Sequence, residues 1–204
     1  VRTHLPPLSL ADEIRRAVVA NIVVVVAAGN LNEPAHFYPY ANTPTPQVLV
    51  VGAFDVIKAM SQGLLNLDSL SDFSNYDQSV DIASPGGDSS DPETEGLLST
   101  VPGGYAKFPG TSMASPIVAG AAGLVIGLAK SRGHSYTVDD IVNVIKNSAT
   151  KSSNLTTKIQ NGNLLNLEEL AKAADLKFPA SAAPSPSPTP GSSATPRPSP
   201  KKPK

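Results

Sequence analysis

The sequence predicts an α/β fold built on a mostly parallel sheet. Two apolar runs, Val23–Ala28 and Val48–Ala53, carry that expectation. Rich in β-branched residues and lacking in/out alternation, they read as strands covered on both faces, the pattern of a sheet with helices on either side. The third observation is helical periodicity around them. Leu10, Ile14, Ala17 and Val18 fall at i, i+4, i+7 and i+8 on one face, with Ser9 as a cap and Asp12 and Glu13 in the first turn.

Gly29-Asn30 ends the first strand with a turn signal. Residues 31–47 form a loop rich in Asn, Pro and aromatics, and 54–71 a mixed stretch suited to a surface hairpin. Gly87–Glu95 is acidic and turn-rich, which predicts an exposed loop, and Leu97–Thr100 returns to the fold. Gly110 then leads Ser112 into a long apolar helix that Arg132-Gly133 closes. Its small residues Ala114, Ala119, Gly120, Ala121, Ala122 and Gly123 predict a central, buried helix, and Pro116 suits an early helical position. Thr137–Asp140 caps an amphipathic helix that carries Ile141, Val144 and Ile145 to about Ser148. Leu167–Ala174 makes the last helix.

With 204 residues the chain can hold one full core. Residues 1–178 form the expected domain, and 179–204, in Pro, Ser, Thr and Ala, a disordered linker or tail that cannot bury enough apolar surface to order itself. The formal charge is −1; without Arg197, Lys201, Lys202 and Lys204 of the tail, 12 basic residues face 17 acidic ones. That balance speaks against a nucleic-acid surface. No cysteine is present, so disulfides and thiolate metal sites are excluded. No transmembrane segment and no signal peptide are expected, and an opening at Val1 rather than Met predicts a piece of a longer precursor. Asn154-Leu155-Thr156 matches an N-glycosylation sequon, a three-residue pattern common by chance.

Ser112 is the focus of the chemistry. Backbone N–H groups in a helix's first turn lack intrahelical partners, and the dipole's positive end lies there. A hydroxyl at that place sits beside stabilisation for developing negative charge, although an ordinary helix cap is the blander account of a serine.

Gly110-Thr111-Ser112-Met113-Ala114-Ser115-Pro116, followed by Val118-Ala119-Gly120, resembles the nucleophile motif of the subtilisin-like serine proteases, the subtilases. Ile117 stands where many members carry His. Val26-Ala27-Ala28-Gly29-Asn30, Val48–Ala53, Phe73-Ser74-Asn75-Tyr76, Val80–Gly86 and Gly162–Leu167 resemble further family segments, so the likeness spans roughly residues 9–175. It implies the C-terminal portion of a three-layer catalytic domain. It also implies Ser112 as nucleophile, Asn30 in the oxyanion hole, and Ala27, Ala28, Gly29 and Thr111 in substrate binding. Phe37 would stand at the floor of the S1 pocket and favour small or medium side chains. No cofactor is required for the chemistry, but the resemblance implies Ca2+ or Na+ as a stabilising cation on Asp81 with carbonyls of Pro46 and Val48. The acidic residues Asp88, Asp91, Glu93 and Glu95 lack a calcium-loop spacing and read as solvated.

Subtilases run their triad in the order Asp, His, Ser. This chain contains neither Asp-x-Gly nor His-Gly-Thr, and its three histidines, His4, His36 and His134, stand in other contexts. A serine without a base is a weak nucleophile. In subtilisin itself, loss of the histidine alone costs about 2 × 10⁶ in kcat. The expectation is therefore a secreted, extracellular serine endopeptidase acting on peptide substrates, here without the N-terminal half that holds Asp and His, and inert alone. The alternative is a non-catalytic or partner-completed chain that binds peptides.

Overall fold

The computed structural model describes residues 8–35, 47–55, 69–88 and 96–180. In chain order the elements are α1 (Leu8–Val19), β1 (Val24–Ala27), β2 (Val48–Phe54), β3 (Ile82–Pro85), β4 (Leu97–Val101), β5 (Gly104–Phe108), α2 (Thr111–Ser131), α3 (Val138–Asn147), β6 (Thr150–Lys151), β7 (Asn163–Leu164) and α4 (Leu167–Lys177). Single 3₁₀ turns lie at Ser153–Leu155 and Gln160–Gly162.

Five strands form one sheet in the order β1-β2-β3-β7-β6. The β1/β2, β2/β3 and β3/β7 pairs are parallel, and only β6 runs against its neighbour. The register places Ala27 beside Val51 and Val51 beside Ile82. Central strand β2 is buried throughout, as its unbroken apolar run predicts. Its side chains alternate between two cores. Leu49, Val51 and Ala53 pack with α2, α3 and α4 on one face, while Val50 and Phe54 pack with Ala28, Leu155, Ile159 and Leu164 on the other. The sheet is thus covered on both sides, in agreement with the expected α/β class.

α3 forms where its local signals place it. Thr137 is the N-cap, Asp140 returns the capping box, and Ile141, Val142, Val144 and Ile145 are buried. Fully burying an isoleucine such as Ile141 or Ile145 contributes about 1.5–3 kcal/mol. α4 is capped by the Asn166 side chain, which accepts the Glu169 N–H, and α2 ends at Arg132-Gly133.

Four expectations change. β1 is an edge strand and all four of its residues are half-buried, because its open side has no described neighbour. α1 begins at Leu8, so Ser9 lies inside the helix rather than capping it. Gly87 and Asp88 are buried, so the acidic stretch does not begin as a solvated loop. α2 is buried on one face only: Ser112, Pro116, Ala119, Gly120, Gly123, Leu124 and Gly127 are exposed. By length and composition α2 is also apolar enough to cross a membrane, but Val118, Ala121, Ala122, Val125 and Ala129 pack it onto the sheet and its neighbouring helices. The region 56–68, the loop 89–95 and the segment 181–204, including most of the expected tail, lie outside the described residues.

Candidate active site

Three segments converge where parallel strands end and α2 begins. β1 ends at Ala27 and the chain turns through Ala28, Gly29 and Asn30. β3 ends at Pro85, and Gly86 accepts the Gly110 N–H at its carbonyl, 2.8 Å away. Gly110 is the N-cap of α2, with φ 151° and no side-chain cap. Ser112 is therefore the second helical residue, exposed, and not a capping serine.

The Asn30 carboxamide is oriented by Thr111. Its Oδ1 accepts the Thr111 N–H at 2.9 Å and the Thr111 hydroxyl at 2.7 Å. The hydroxyl oxygen in turn accepts the Gly29 N–H at 3.2 Å. Two donors on Oδ1 fix which way the amide faces, so Nδ2 is turned away from Thr111. The space over Gly110 lies between Asn30 and the helix. A Cβ built on Gly110 would stand 3.4 Å from Asn30 Nδ2, 3.5 Å from Met113 Sδ and 3.7 Å from the Ser112 nitrogen. Two N–H groups thus border one small volume, and the backbone angle at Gly110, φ 151°, is one that glycine adopts readily.

The remaining first-turn donors are spoken for. Met113 and Ala114 N–H both go to the Gly110 carbonyl, at 2.9 and 3.2 Å. Pro116 lies deeper than its expected early position: it is the sixth helical residue, so its missing N–H leaves the Ser112 carbonyl without its usual i+4 partner. The Ser115 hydroxyl takes up the Thr111 carbonyl at 2.8 Å.

The other expected site residues fall in different places. Ala27 pairs with Val51 at the strand end, and the Ala28 side chain is fully buried in the core. A cleft wall made by 27–29 would therefore be backbone at Ala28. Pro46, Phe37, His36 and His4 lie outside the described residues. His134 follows the far end of α2, with Nε2 2.8 Å from the Pro179 carbonyl. A helix of this length spans about 30 Å, so His134 cannot serve Ser112 as a base.

Asp81 is buried at the start of β3 and its carboxylate is shared between two donors. Oδ2 accepts the Val50 N–H at 2.9 Å, and Oδ1 meets Lys146 Nζ at 2.6 Å. Asn163 Nδ2 donates to the Asp81 carbonyl at 2.8 Å, and Lys151 Nζ to the Lys146 carbonyl at 3.0 Å. Burial, with Lys146 nearby, holds the Lys151 ammonium below the usual lysine range. Val48 is buried in β2. At Asp81 the Lys146 ammonium thus already places a positive charge against the carboxylate. Among the described residues no group of three His, Cys, Asp or Glu could hold a metal ion.

Two features escape the sequence reading: the Thr111 hydroxyl as an anchor for Asn30, and Asn75 behind the same loop. Asn75 is fully buried, and its Oδ1 accepts the N–H groups of Leu31 and Glu33 at 2.9 and 3.2 Å.

Residues 4–167 match the model of the subtilase family. Among curated relatives, the alkaline elastase YaB of Bacillus sp. (strain YaB) is 36% identical over 163 residues, covering 78% of this chain and 35% of its own length. Subtilisin BL of Lederbergia lenta is 33% identical over 80% of this chain and 51% of its own length. An intracellular serine protease of Paenibacillus polymyxa is 38% identical over 60% of this chain and 33% of its own. The chain thus spans between a third and a half of the length of these relatives. Among solved structures, a protease of Pseudoalteromonas arctica superposes with a TM-score of 0.66 at 26% identity, over 82% of this chain and 47% of that one. By its family match, its sequence relatives and its parallel-sheet fold, the chain belongs to the subtilase family.

Proposed function

We propose that this chain is the nucleophile-bearing part of a subtilisin-type serine endopeptidase. In this reading Ser112 Oγ attacks a peptide carbonyl and passes its proton to a base. The oxyanion is held by Asn30 Nδ2 and the Ser112 N–H. The C–N bond then breaks, the amine leaves with the proton, and water releases the acyl group from Ser112. Thr111 orients Asn30, and the backbone of Ala27, Ala28 and Gly29 lines the substrate cleft. The observation that carries the reading is the double hydrogen bond from Thr111 to Asn30 Oδ1, which turns Nδ2 toward the space bordered by the Ser112 nitrogen.

The base and its carboxylate come from a segment outside this sequence. The exposed face of α2 and the edge of β1, which has no strand neighbour among the described residues, support that view: a strand edge and a helix face of Pro116, Ala119, Gly120, Gly123 and Gly127 are surfaces that a completed core covers. No cofactor takes part in the chemistry, and Lys146 serves in place of a structural cation at Asp81. An extracellular site of action follows from family resemblance, although one relative is named as intracellular.

A fluorophosphonate probe tests the reading. The chain alone is expected to stay unlabelled. Joined to an upstream segment carrying Asp-x-Gly and His-Gly-Thr, it is expected to label at Ser112 and to lose labelling on Ser112→Ala. Labelling of the lone chain, or none in the completed one, overturns the proposal.

A further inference from the structure

We infer that Asn75 is a positioning residue for the oxyanion-binding loop; the inference rests on the role proposed above for Asn30. The segment Phe73-Ser74-Asn75-Tyr76 is a sequence motif with no chemical group near Ser112 assigned to it. Its geometry supplies a task. The Asn75 backbone N–H donates to the Gly29 carbonyl at 2.9 Å, and Asn75 Oδ1 accepts the Leu31 N–H at 2.9 Å. One residue thus grips the peptide units on both sides of Asn30, whose orientation sets where the Asn30 side chain leaves the backbone. Oδ1 also takes the Glu33 N–H, at 3.2 Å, and neighbouring bonds from Asn32 N–H to Phe73 O and from Tyr76 N–H to Glu33 O extend the clasp.

Asn75 is fully buried, and its Nδ2 has no hydrogen-bond partner among the described residues. A buried amide with an orphaned donor is unfavourable, so the site keeps asparagine for its acceptor. Ser74 holds the clasp against the sheet: its hydroxyl accepts the Ala53 N–H at 3.0 Å and donates to the Asn75 carbonyl at 3.0 Å. Thr111 fixes the Asn30 side chain from one side and Asn75 fixes its backbone from the other.

The test compares Asn75→Leu, which removes the acceptor at similar volume, with Asn75→Asp, which keeps an acceptor oxygen and removes the orphaned NH2. In the 204-residue chain, hydrogen exchange at Leu31 and Glu33 is expected to rise about tenfold or more in the Leu variant and to stay protected in the Asp variant. The side-chain NMR signal of Asn30 is expected to shift or broaden with it. In the enzyme completed by its upstream segment, Asn75→Leu is expected to lower kcat about tenfold with KM unchanged, short of the ~10²–10³ for removing an oxyanion donor outright. Unchanged exchange and an unchanged Asn30 signal in the Leu variant overturn the inference, as does a fall in kcat that the Asp variant shares. If Asn75→Leu does not fold, Asn75→Ser, whose shorter hydroxyl stops short of both N–H groups, takes its place in the same comparison. An inactive completed wild type would refute the protease reading and leave the exchange data to decide the role of Asn75.

Discussion

Replacing Lys146 with methionine keeps the stem and deletes the ammonium that faces Asp81. The Lys146 and Asp81 side chains retain 20% and 12% of their exposure, so water can compensate only in part. The carboxylate would keep one hydrogen bond, from the Val50 N–H. Breaking a buried pair by removing one partner costs about 3–5 kcal/mol. Residual exposure puts Lys146→Met near the lower end, about 3 kcal/mol. The double variant Asp81→Asn with Lys146→Met leaves no orphaned charge and should recover about 1 kcal/mol or more relative to the sum of the single changes. Urea denaturation at neutral pH, followed by far-UV circular dichroism, reads these differences as shifts of the midpoint at constant slope. Calcium adds a second arm: the wild-type midpoint should not move with millimolar calcium or with chelator, since the lysine occupies the carboxylate. A Lys146→Met stability within about 0.5 kcal/mol of wild type would refute the ion-pair argument. A calcium-dependent rise in the wild type would restore the cation on Asp81. Lys172, which bridges Glu168 and Glu169 on the surface, is the control, and its replacement should leave the midpoint unchanged.

Thr111→Val should preserve shape in a fully buried site while removing the hydroxyl bonds to Asn30 and Gly29. The Thr111 N–H still holds Asn30, so kcat of the completed enzyme should fall about tenfold with KM unchanged, and an unchanged kcat would show that the backbone bond suffices. Gly162→Ala should destabilise the chain by about 3 kcal/mol or more, read from the urea midpoint. Gly162 has φ 62°, and an added Cβ would stand 2.1 Å from the Ser152 carbonyl oxygen, a backbone atom that cannot step aside cheaply. Asp140 predicts acid sensitivity. Its hydrogen bond to Lys177, followed by those to the Thr137 backbone and side chain, lowers its pKa from 3.8 to about 2. Because the folded value lies below the unfolded one, its contribution is complete above about pH 4 and disappears as pH falls toward 2. Stability profiles of wild type and Asp140→Asn should therefore converge across that window, and parallel profiles would remove Asp140 from acid unfolding.

What the sequence discloses follows the range of the interactions involved. The capping box of α3 joins residues three apart, and the unbroken apolar run of β2 reports burial on both faces, so both are legible locally. The run 24–27 is as unbroken in its apolar residues as the start of β2 yet lies at an edge, because burial of a strand depends on a neighbour its own residues do not encode. The Asp81 carboxylate shows no partner in its own segment, and Lys146, which meets it, lies 65 positions later. The motif around Ser112 is readable as a motif, but the Thr111 contact to Asn30 spans 81 residues and the Asn75 contact to Leu31 spans 44. Pairings of this kind are made by the sheet, whose parallel order returns distant segments to one end.

The exposed side of α2 has a bearing on control. Its stripe of glycine and alanine begins at Ser112, so whatever settles into it ends at the reactive hydroxyl. Under the proposed reading, hiding this seam from solvent and arming the serine become a single event. A nascent or separated chain would be adhesive but harmless, and proteolytic competence would arrive only with assembly.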